Sequence, residues 1–434
     1  MADGPHSDRA ALARGQLEQL RSLVAELFPA NGFYRRKLGA AGVTFDVASL
    51  ADFSRRFPLT TKAELVADQQ AFPPYGTNLT YPLNCYTRCH QTSGTSGVPL
   101  RWLDTPENWD WLVENWTETY RAAGVTAADR VYFAFSFGPF IGFWLAFEAA
   151  GRLGAMCLPG GGLGTPARLR GILELGATVL CCTPTYALRL AEVAAAEHLD
   201  LRSGQLRTVI VAGEPGGSVP TTRARFAALW PGARFFDHHG MTEVGPVTFE
   251  CPARPGVLHV LESAYYAEII PPAGTQPIAP GETGELILTT LGRTGSPLLR
   301  YRTGDLVRAE VRPDPAVPCA CGRHDLALLG GILGRTDDMV VVRGVNVYPA
   351  AVEATLRAES DLAEYRVTVA TVQAMAELRL ELEARPECAD PAALDERIRQ
   401  AFLTQFALRV PVTLVPAGAL PRFEMKARRW TRAD

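Results

Sequence analysis

At 434 residues the chain is roughly two to three times the length of an ordinary domain, so at least two domains and a sizeable core are expected. Its 47% hydrophobic and 21% charged residues describe a folded globular protein, and a formal net charge of -3 with no block of lysines and arginines argues against a nucleic-acid partner. No apolar run reaches the ~18–20 residues of a membrane span, and Met1 to Gly15 is polar where a signal peptide would carry an apolar core, so the expectation is a cytoplasmic protein with no membrane partner.

Leu12, Leu17, Leu20, Leu23, Val24 and Leu27 recur at helical spacing, which predicts an amphipathic helix from Asp8 to Phe28, stopped by Pro29-Ala30-Asn31-Gly32. A polar stretch with Pro58, Pro73, Pro74 and Pro82 follows. Thr105 to Ala123 reads as a helix with Trp109, Leu112, Val113 and Trp116 on one face, and Arg130 to Ser136 as a strand. Apolar runs (Ala155–Leu158, Thr178–Cys181, Thr208–Ala212) then alternate with helical patterns (Thr165–Leu175, Tyr186–Glu197, Thr221–Leu229), the rhythm of a parallel sheet covered by helices. From Pro252 to about Val311 short strands such as Ala267–Ile270 and Gly284–Thr289 are separated by Pro/Gly turns, which predicts an antiparallel, barrel-like part. After Gly334 a helix (Pro349–Glu359), two strands (Tyr365–Val372, Ala376–Ala384), a helix (Pro391–Phe406) and a strand (Val410–Val415) predict a small α+β unit.

Five segments concentrate the chemistry. Thr92-Ser93-Gly94-Thr95-Ser96-Gly97 is a loop of glycines and hydroxyls able to wrap an anion, or simply a polar turn; it is no Walker A loop, because Val98 stands where a lysine would follow. Gly213-Glu214-Pro215 follows a parallel strand at the end where ligands bind in such sheets. Asp237-His238-His239-Gly240-Met241-Thr242-Glu243 puts a hydroxyl beside a carboxylate. Tyr301-Arg302-Thr303-Gly304-Asp305 ends the barrel-like part with an acid that could accept from two sugar hydroxyls. Gly334-Arg335-Thr336-Asp337-Asp338, with Arg343-Gly344-Val345, opens the small unit.

Each segment alone reads as a turn; in this order they resemble the adenylate-forming superfamily of acyl- and aryl-CoA synthetases, adenylation domains and luciferases, and within it the short phenylacetate-CoA ligase branch. The resemblance runs from about residue 50 to the C-terminus. It implies a large α/β domain, residues 1–333, of parallel sheets flanked by helices with the barrel-like part at about 252–333, and a small mobile α+β domain, 334–434, swinging about a hinge at 335–338 between two half-reactions. Position by position, it implies that Thr92, Ser93, Gly94, Thr95, Ser96 and Gly97 hold phosphates, and that Gly213, Glu214 and Pro215, with His238, His239, Gly240 and Met241, line the nucleotide site. Thr242 would contact the α-phosphate, Glu243 would hold Mg²⁺, Asp305 would bind the ribose hydroxyls with Arg335 beside it, Asp337 would be the hinge residue, and Gly344 would border the CoA thiol. In Pro421-Arg422-Phe423-Glu424-Met425-Lys426 the resemblance makes Lys426 the lysine that enters the site for adenylation, where a lone lysine would otherwise read as a solvated surface residue. Three departures stand out: His239 replaces the usual aromatic, Met425 the usual glycine and Val98 a common lysine. The parts suit the reaction, since a carboxylate attacking the α-phosphorus of ATP needs charge neutralisation and positioning rather than a side-chain nucleophile.

Cys319-Ala320-Cys321 lies in a tight turn, and Cys251 and His259 lie in and beyond a second Pro/Gly-rich turn; three thiolates and an imidazole would satisfy a structural, tetrahedral Zn²⁺, with His324 the alternative fourth ligand and unrelated thiols the plain reading. The aromatic run Phe133 to Trp144 reads as core strand turning into core helix, yet it falls where the resembling enzymes build the acyl pocket; Phe135, Phe137, Phe140 and Ile141 would wall it over a floor of Ala212, Gly213 and Gly240, which favours a flat aromatic acid. The reading is therefore an aryl-CoA ligase using ATP, Mg²⁺ and CoA, and a homodimer. The alternatives are an adenylating enzyme that hands its product to a carrier-protein thiol or an amine, one that activates an oxyanion such as nitrite, and a non-catalytic ATP/AMP-binding regulator, against which Glu243, Asp305 and Lys426 speak.

Overall fold

The computed structural model describes residues 8–92, 99–314, 316–336, 338, 340–342, 345–372, 375–423 and 427–433. The first helix, α1 (Arg9–Ala30), is capped by the Asp8 carboxylate and runs through Pro29; Asn31 ends it and at once caps α2 (Gly32–Ala40), so the expected stop is a helix-to-helix corner. The polar stretch hides two more helices, α3 (Leu50–Arg56) and α4 (Lys62–Ala71), which Ser49 and a Thr61/Glu64 capping box start. A hairpin of β1 (Arg88–Gln91) and β2 (Arg101–Asp104) precedes α5 (Pro106–Ala122), whose N-cap is Thr105.

The centre is a five-stranded, wholly parallel sheet. Its strands are β3 (Arg130–Phe133), β4 (Met156–Pro159), β5 (Val179–Cys182), β6 (Thr208–Val211) and β7 (Arg234–Asp237), in the order β4-β3-β5-β6-β7. Between them run α6 (Ile141–Leu153), α7 (Thr165–Glu174), α8 (Pro184–Ala196) and α9 (Pro220–Leu229). All four residues of β5 and of β6 are buried, because helices cover both faces and no polar alternation is possible. Helix α8 starts where Thr183 caps Tyr186 and Pro184 fills the first position. Two hydrophobic cores result, one on each side: Leu169, Leu180, Tyr186 and Val209 in one, Trp116, Phe133, Ala149 and Ile210 in the other.

The chain next forms three antiparallel sheets. A short ribbon pairs β8 (Gly240–Met241) with β9 (Gly245–Pro246); β10 (Thr248–Glu250), β11 (Val257–Val260) and β15 (Ala327–Leu329) form a second; β12 (Tyr265–Ile270), β13 (Thr283–Thr290), β14 (Tyr301–Arg308) and β16 (Gly334–Arg335) form a third. A bridge between Ala309 and Leu328 joins the last two, so the expected barrel-like part consists of linked open sheets among the described residues. The C-terminal sheet has the order β18-β17-β20-β19-β22, with β21 also on β20: β17 (Val340–Val342), β18 (Val345–Val347), β19 (Leu362–Val372), β20 (Met375–Ala384), β21 (Val412–Val415) and β22 (Trp430–Ala433). Helices α10 (Pro349–Arg357) and α11 (Pro391–Phe406) cover it and share a core of Val352, Leu356, Leu380, Ile398 and Phe402. Among the described residues no helix is long and apolar enough to cross a membrane.

Candidate active site

Parallel strands of one sheet end on the same side, so β6 and β7 deliver Gly213-Glu214 and Asp237-His238-His239 to one edge. Gly213 has φ +95°, a left-handed turn that suits glycine and lets the chain leave β6 sharply. Asp237, at the end of β7, accepts from Ser218 Oγ at 2.5 Å and from the His238 N–H at 2.9 Å, and its own N–H donates to Glu250 at 2.7 Å.

The two histidines are held by β10. His238 is buried; its Nδ1 lies 2.7 Å from the Thr248 carbonyl, which makes Nδ1 the protonated nitrogen, and its ring meets Trp116 edge-on at 4.2 Å. Burial pushes its pKa down to about 4, so the ring is neutral at pH 7. The His239 N–H donates to Thr248 Oγ1 at 3.0 Å, and its Nε2 lies 3.0 Å from Asp305 Oδ2. Asp305 on β14 is directly opposite Arg335 on β16 in register, and Arg335 donates to its Oδ1 at 2.9 Å. Burial raises the Asp305 pKa, but His239 and Arg335 outweigh it and hold the carboxyl below its ordinary range.

Thr242 and Glu243 follow β8. The Glu243 carboxylate is buried; Oε1 accepts from Tyr301 OH at 3.3 Å and lies 3.2 Å from Lys62 Nζ. A buried acid beside one ammonium is a donor suited to a hard divalent cation, which Mg²⁺ requires. Lys62 escaped the sequence reading because it sits in the polar stretch; its signal is the Thr61/Glu64 capping box, which places it in the first turn of α4. Tyr301 belonged to a motif already singled out, without a role.

Thr92 clasps the base of its loop: its N–H donates to the Leu100 carbonyl at 2.9 Å and its Oγ1 accepts from the Leu100 N–H at 3.0 Å. The Glu214 carboxylate bridges α8 and the C-terminal part of the chain: Oε1 accepts from the Thr185 N–H at 2.8 Å and Oε2 from the Ala427 N–H at 2.9 Å. Enclosure raises its pKa. Two residues on, buried Arg429 donates to Glu364 through Nε at 2.7 Å and NH2 at 3.1 Å, and through NH1 to Thr185 Oγ1 at 3.4 Å. Ser93, Gly94, Thr95, Ser96, Gly97, Asp337, Gly344 and Lys426 lie outside the described residues.

Gly240 owes its size to the β8–β9 ribbon: a Cβ there would stand 2.7 Å from the Gly245 carbonyl oxygen. Pro215 is exposed and Ala212 and Met241 are half-buried. In the aromatic run, Phe135 and Ile141 are core residues, Phe135 stacking on Phe143 at 4.4 Å; Phe137, against Phe147 at 5.4 Å, and Phe140 are part-buried.

Away from this edge, Cys251, His259, Cys319 and Cys321 bring one ligand atom each within 4.8 Å of one another. Sγ of Cys251 and Cys319 are 3.6 Å apart, and Cys321 Sγ is 3.5 Å from His259 Nε2. These are near the ~3.5–3.8 Å edges of a tetrahedron around a metal with bonds of roughly 2.0–2.3 Å. His259 Nδ1 faces the Asp325 carbonyl at 3.2 Å, which leaves Nε2 for a metal. His259 stands on β11, beyond the turn, and His324 is not in the group.

The AMP-binding enzyme family matches residues 90–292, and the AMP-binding enzyme C-terminal domain matches 344–432. The chain is 30% identical over 436 residues to a phenylacetate-coenzyme A ligase of Thermus thermophilus, covering 96% of this chain and 95% of that protein. A solved structure of 2-hydroxyisobutyryl-CoA ligase in the postadenylation state with R3-HIB-AMP is 28% identical, covers 100% of this chain and 93% of that one, and has a TM-score of 0.91. The same ligase in the thioesterification state, with 2-HIB-AMP and CoA, is 29% identical over the same shares with a TM-score of 0.74. A chain that keeps this likeness from end to end belongs to the phenylacetate-CoA ligase-like branch of the adenylate-forming superfamily: it is an AMP-forming acid:CoA ligase.

Proposed function

We propose that the acid is an aromatic carboxylic acid, held against Phe137 and Phe140 with Ala212 and Gly213 beneath it, and that the acceptor is CoA. The observation that carries the nucleotide half is the cluster of Asp305, Arg335, His239 and Glu243 at one edge. In the first half-reaction a carboxylate oxygen attacks the α-phosphorus and pyrophosphate leaves. Asp305 accepts from the ribose hydroxyls, His239 flanks the base, Thr242 donates to the α-phosphate, the Thr92 to Gly97 loop holds the distal phosphates and Lys426 spreads the developing charge. Glu243 would hold Mg²⁺, which supplies charge neutralisation at the phosphates. In the second, the CoA thiolate attacks the acyl carbon and AMP leaves, with the Gly344 segment lining the approach.

Residues 1–333 and 334–434 act as the two domains in this reading, pivoting at 335–338 about Asp337. The Glu214–Ala427 and Thr185–Arg429 contacts, with the higher TM-score to a postadenylation state, support the adenylating arrangement for this structure. The four-residue Cys/His group holds a structural Zn²⁺: a full protein ligand set leaves no position for a reacting water. The protein is cytoplasmic and a homodimer. Pyrophosphate release measured with a panel of aromatic and aliphatic acids, with and without CoA, tests the reading. Aromatic acids should give release without CoA and thioester with it. Release only with an amine or a carrier protein present as acceptor, or with no acid at all, would overturn it.

A further inference from the structure

Arg293, in the loop after β13, is fully buried, and so is Asp104 at the end of β2. Arg293 Nε donates to Asp104 Oδ1 at 2.7 Å and NH2 to Oδ2 at 2.6 Å, a fork on a carboxylate. Its remaining nitrogen, NH1, donates to two successive carbonyls, Thr242 at 2.9 Å and Glu243 at 3.0 Å, while the Trp102 ring lies 5.5 Å from the guanidinium. A buried ion pair is poor evidence of stabilisation, because an apolar pair of similar volume often serves the fold equally well. What an apolar pair cannot do is grip two consecutive backbone oxygens.

We infer that Arg293 is a positioning residue for adenylation: it sets the peptide between Thr242 and Glu243, and so the direction of the Thr242 hydroxyl and the Glu243 carboxylate. Asp104 fixes the guanidinium in turn. Since β2 is the strand that leaves the Thr92–Leu100 clasp, the same guanidinium ties the hairpin bearing the phosphate loop to the loop bearing the cation-binding acid. Lysine does not substitute, because a single ammonium has no planar fork with which to meet a carboxylate on one edge and two carbonyls on the other. The inference rests on the proposed roles of Thr242 and Glu243.

Two variants separate positioning from folding. Asp104→Leu with Arg293→Met removes both charges together and leaves two carbonyls without their donor, which should lower the melting temperature by a few degrees and keep the fold, whereas Arg293→Lys keeps a cation beside Asp104 and loses the paired carbonyl grip. In each, the acid-dependent pyrophosphate release rate should fall by about 100-fold, the effect of a small misplacement of reacting groups, and half-maximal rate should require more Mg²⁺. Thioester formation from supplied acyl-adenylate, which needs no Mg²⁺, should fall at least about tenfold less. Parental release rates and Mg²⁺ dependence in either folded variant would overturn the inference, as would equal loss in both half-reactions with Arg293→Lys if the double variant does not fold. Glu243→Gln is the control. If it leaves pyrophosphate release intact, the assignment of Glu243 has failed; if it abolishes release while both Arg293 variants keep it, the inference about Arg293 alone has failed.

Discussion

Single side chains at this site have their protonation states fixed by what surrounds them. Asp305 is the charged case, kept ionised under burial by His239 and Arg335, as its proposed role of accepting from two ribose hydroxyls requires. His238 is the neutral case, and it sets a pH dependence. Its folded pKa of about 4 lies below the ordinary 6.5, so the unfolded chain takes up the proton first as pH falls. Stability is whole above pH 6.5 and declines from there toward pH 4, by about 1.4 kcal/mol per pH unit from this ring. His90, pushed down to about 4 by burial against Trp109, acts in the same direction. Urea unfolding at steps between pH 7 and 4.5 measures the slope. His238→Asn, which can still donate to the Thr248 carbonyl, should flatten it by about that one increment; equal slopes in variant and parent would show that His238 protonates while folded.

Among the elements, β10 has the widest reach. Its Thr248 holds the backbone of His239 and the ring of His238, its Glu250 accepts from Asp237, and Cys251 follows directly. The neighbouring β11 carries His259, paired to β10 in register. A metal bridging these to Cys319 and Cys321 would staple β10, β11 and the 318–322 turn together, near the nucleotide edge but not on it. About one Zn²⁺ per chain should therefore be found in the purified protein, and a chelator should lower its thermal stability, since the binding free energy of a structural zinc is folding free energy. Cys321→Ser should lower the melting temperature by several degrees and reduce specific activity per folded molecule less. Metal-free protein with unchanged melting would contradict this.

At the scale of the whole molecule, the C-terminal sheet docks on α8 and on the turn after β6 through Ala427, Arg429 and Arg385, the last 3.9 Å from Glu192. Ala427 and Arg429 follow Lys426 closely in sequence, so a chain docked this way brings that residue's neighbours to the large domain. Lys426→Ala should abolish acid-dependent pyrophosphate release and leave thioester formation from supplied acyl-adenylate. Asp337→Pro should do the reverse, because proline fixes φ near -65° and removes an N–H at the proposed pivot. Release would stay measurable while CoA-dependent turnover fell by orders of magnitude. If both steps kept parental rates in the proline variant, rotation about residue 337 would not be how the two steps are separated.

What the chain by itself determined is what depends on neighbours in sequence. The alternation of buried strands and helices from Arg130 to Asp237, the helix capped by Thr105 and the order of the five motifs all follow from local spacing and turn chemistry. The helices α3 and α4 were legible in the same terms through Ser49 and Thr61, but a polar, proline-dotted stretch masked their weak apolar periodicity. Only the tertiary structure decided that Lys62 meets Glu243, that His259 rather than His324 joins the cysteines, that Asp305 stands opposite Arg335, and that one buried guanidinium grips Thr242 and Glu243. Such pairings are set by strand register and by which faces of distant elements are buried together, and they leave no periodic trace in the chain. Gly240 shows the difference in one residue: its motif was plain, yet the reason for glycine there, the approach of the Gly245 carbonyl, belongs to a strand pairing made by folding.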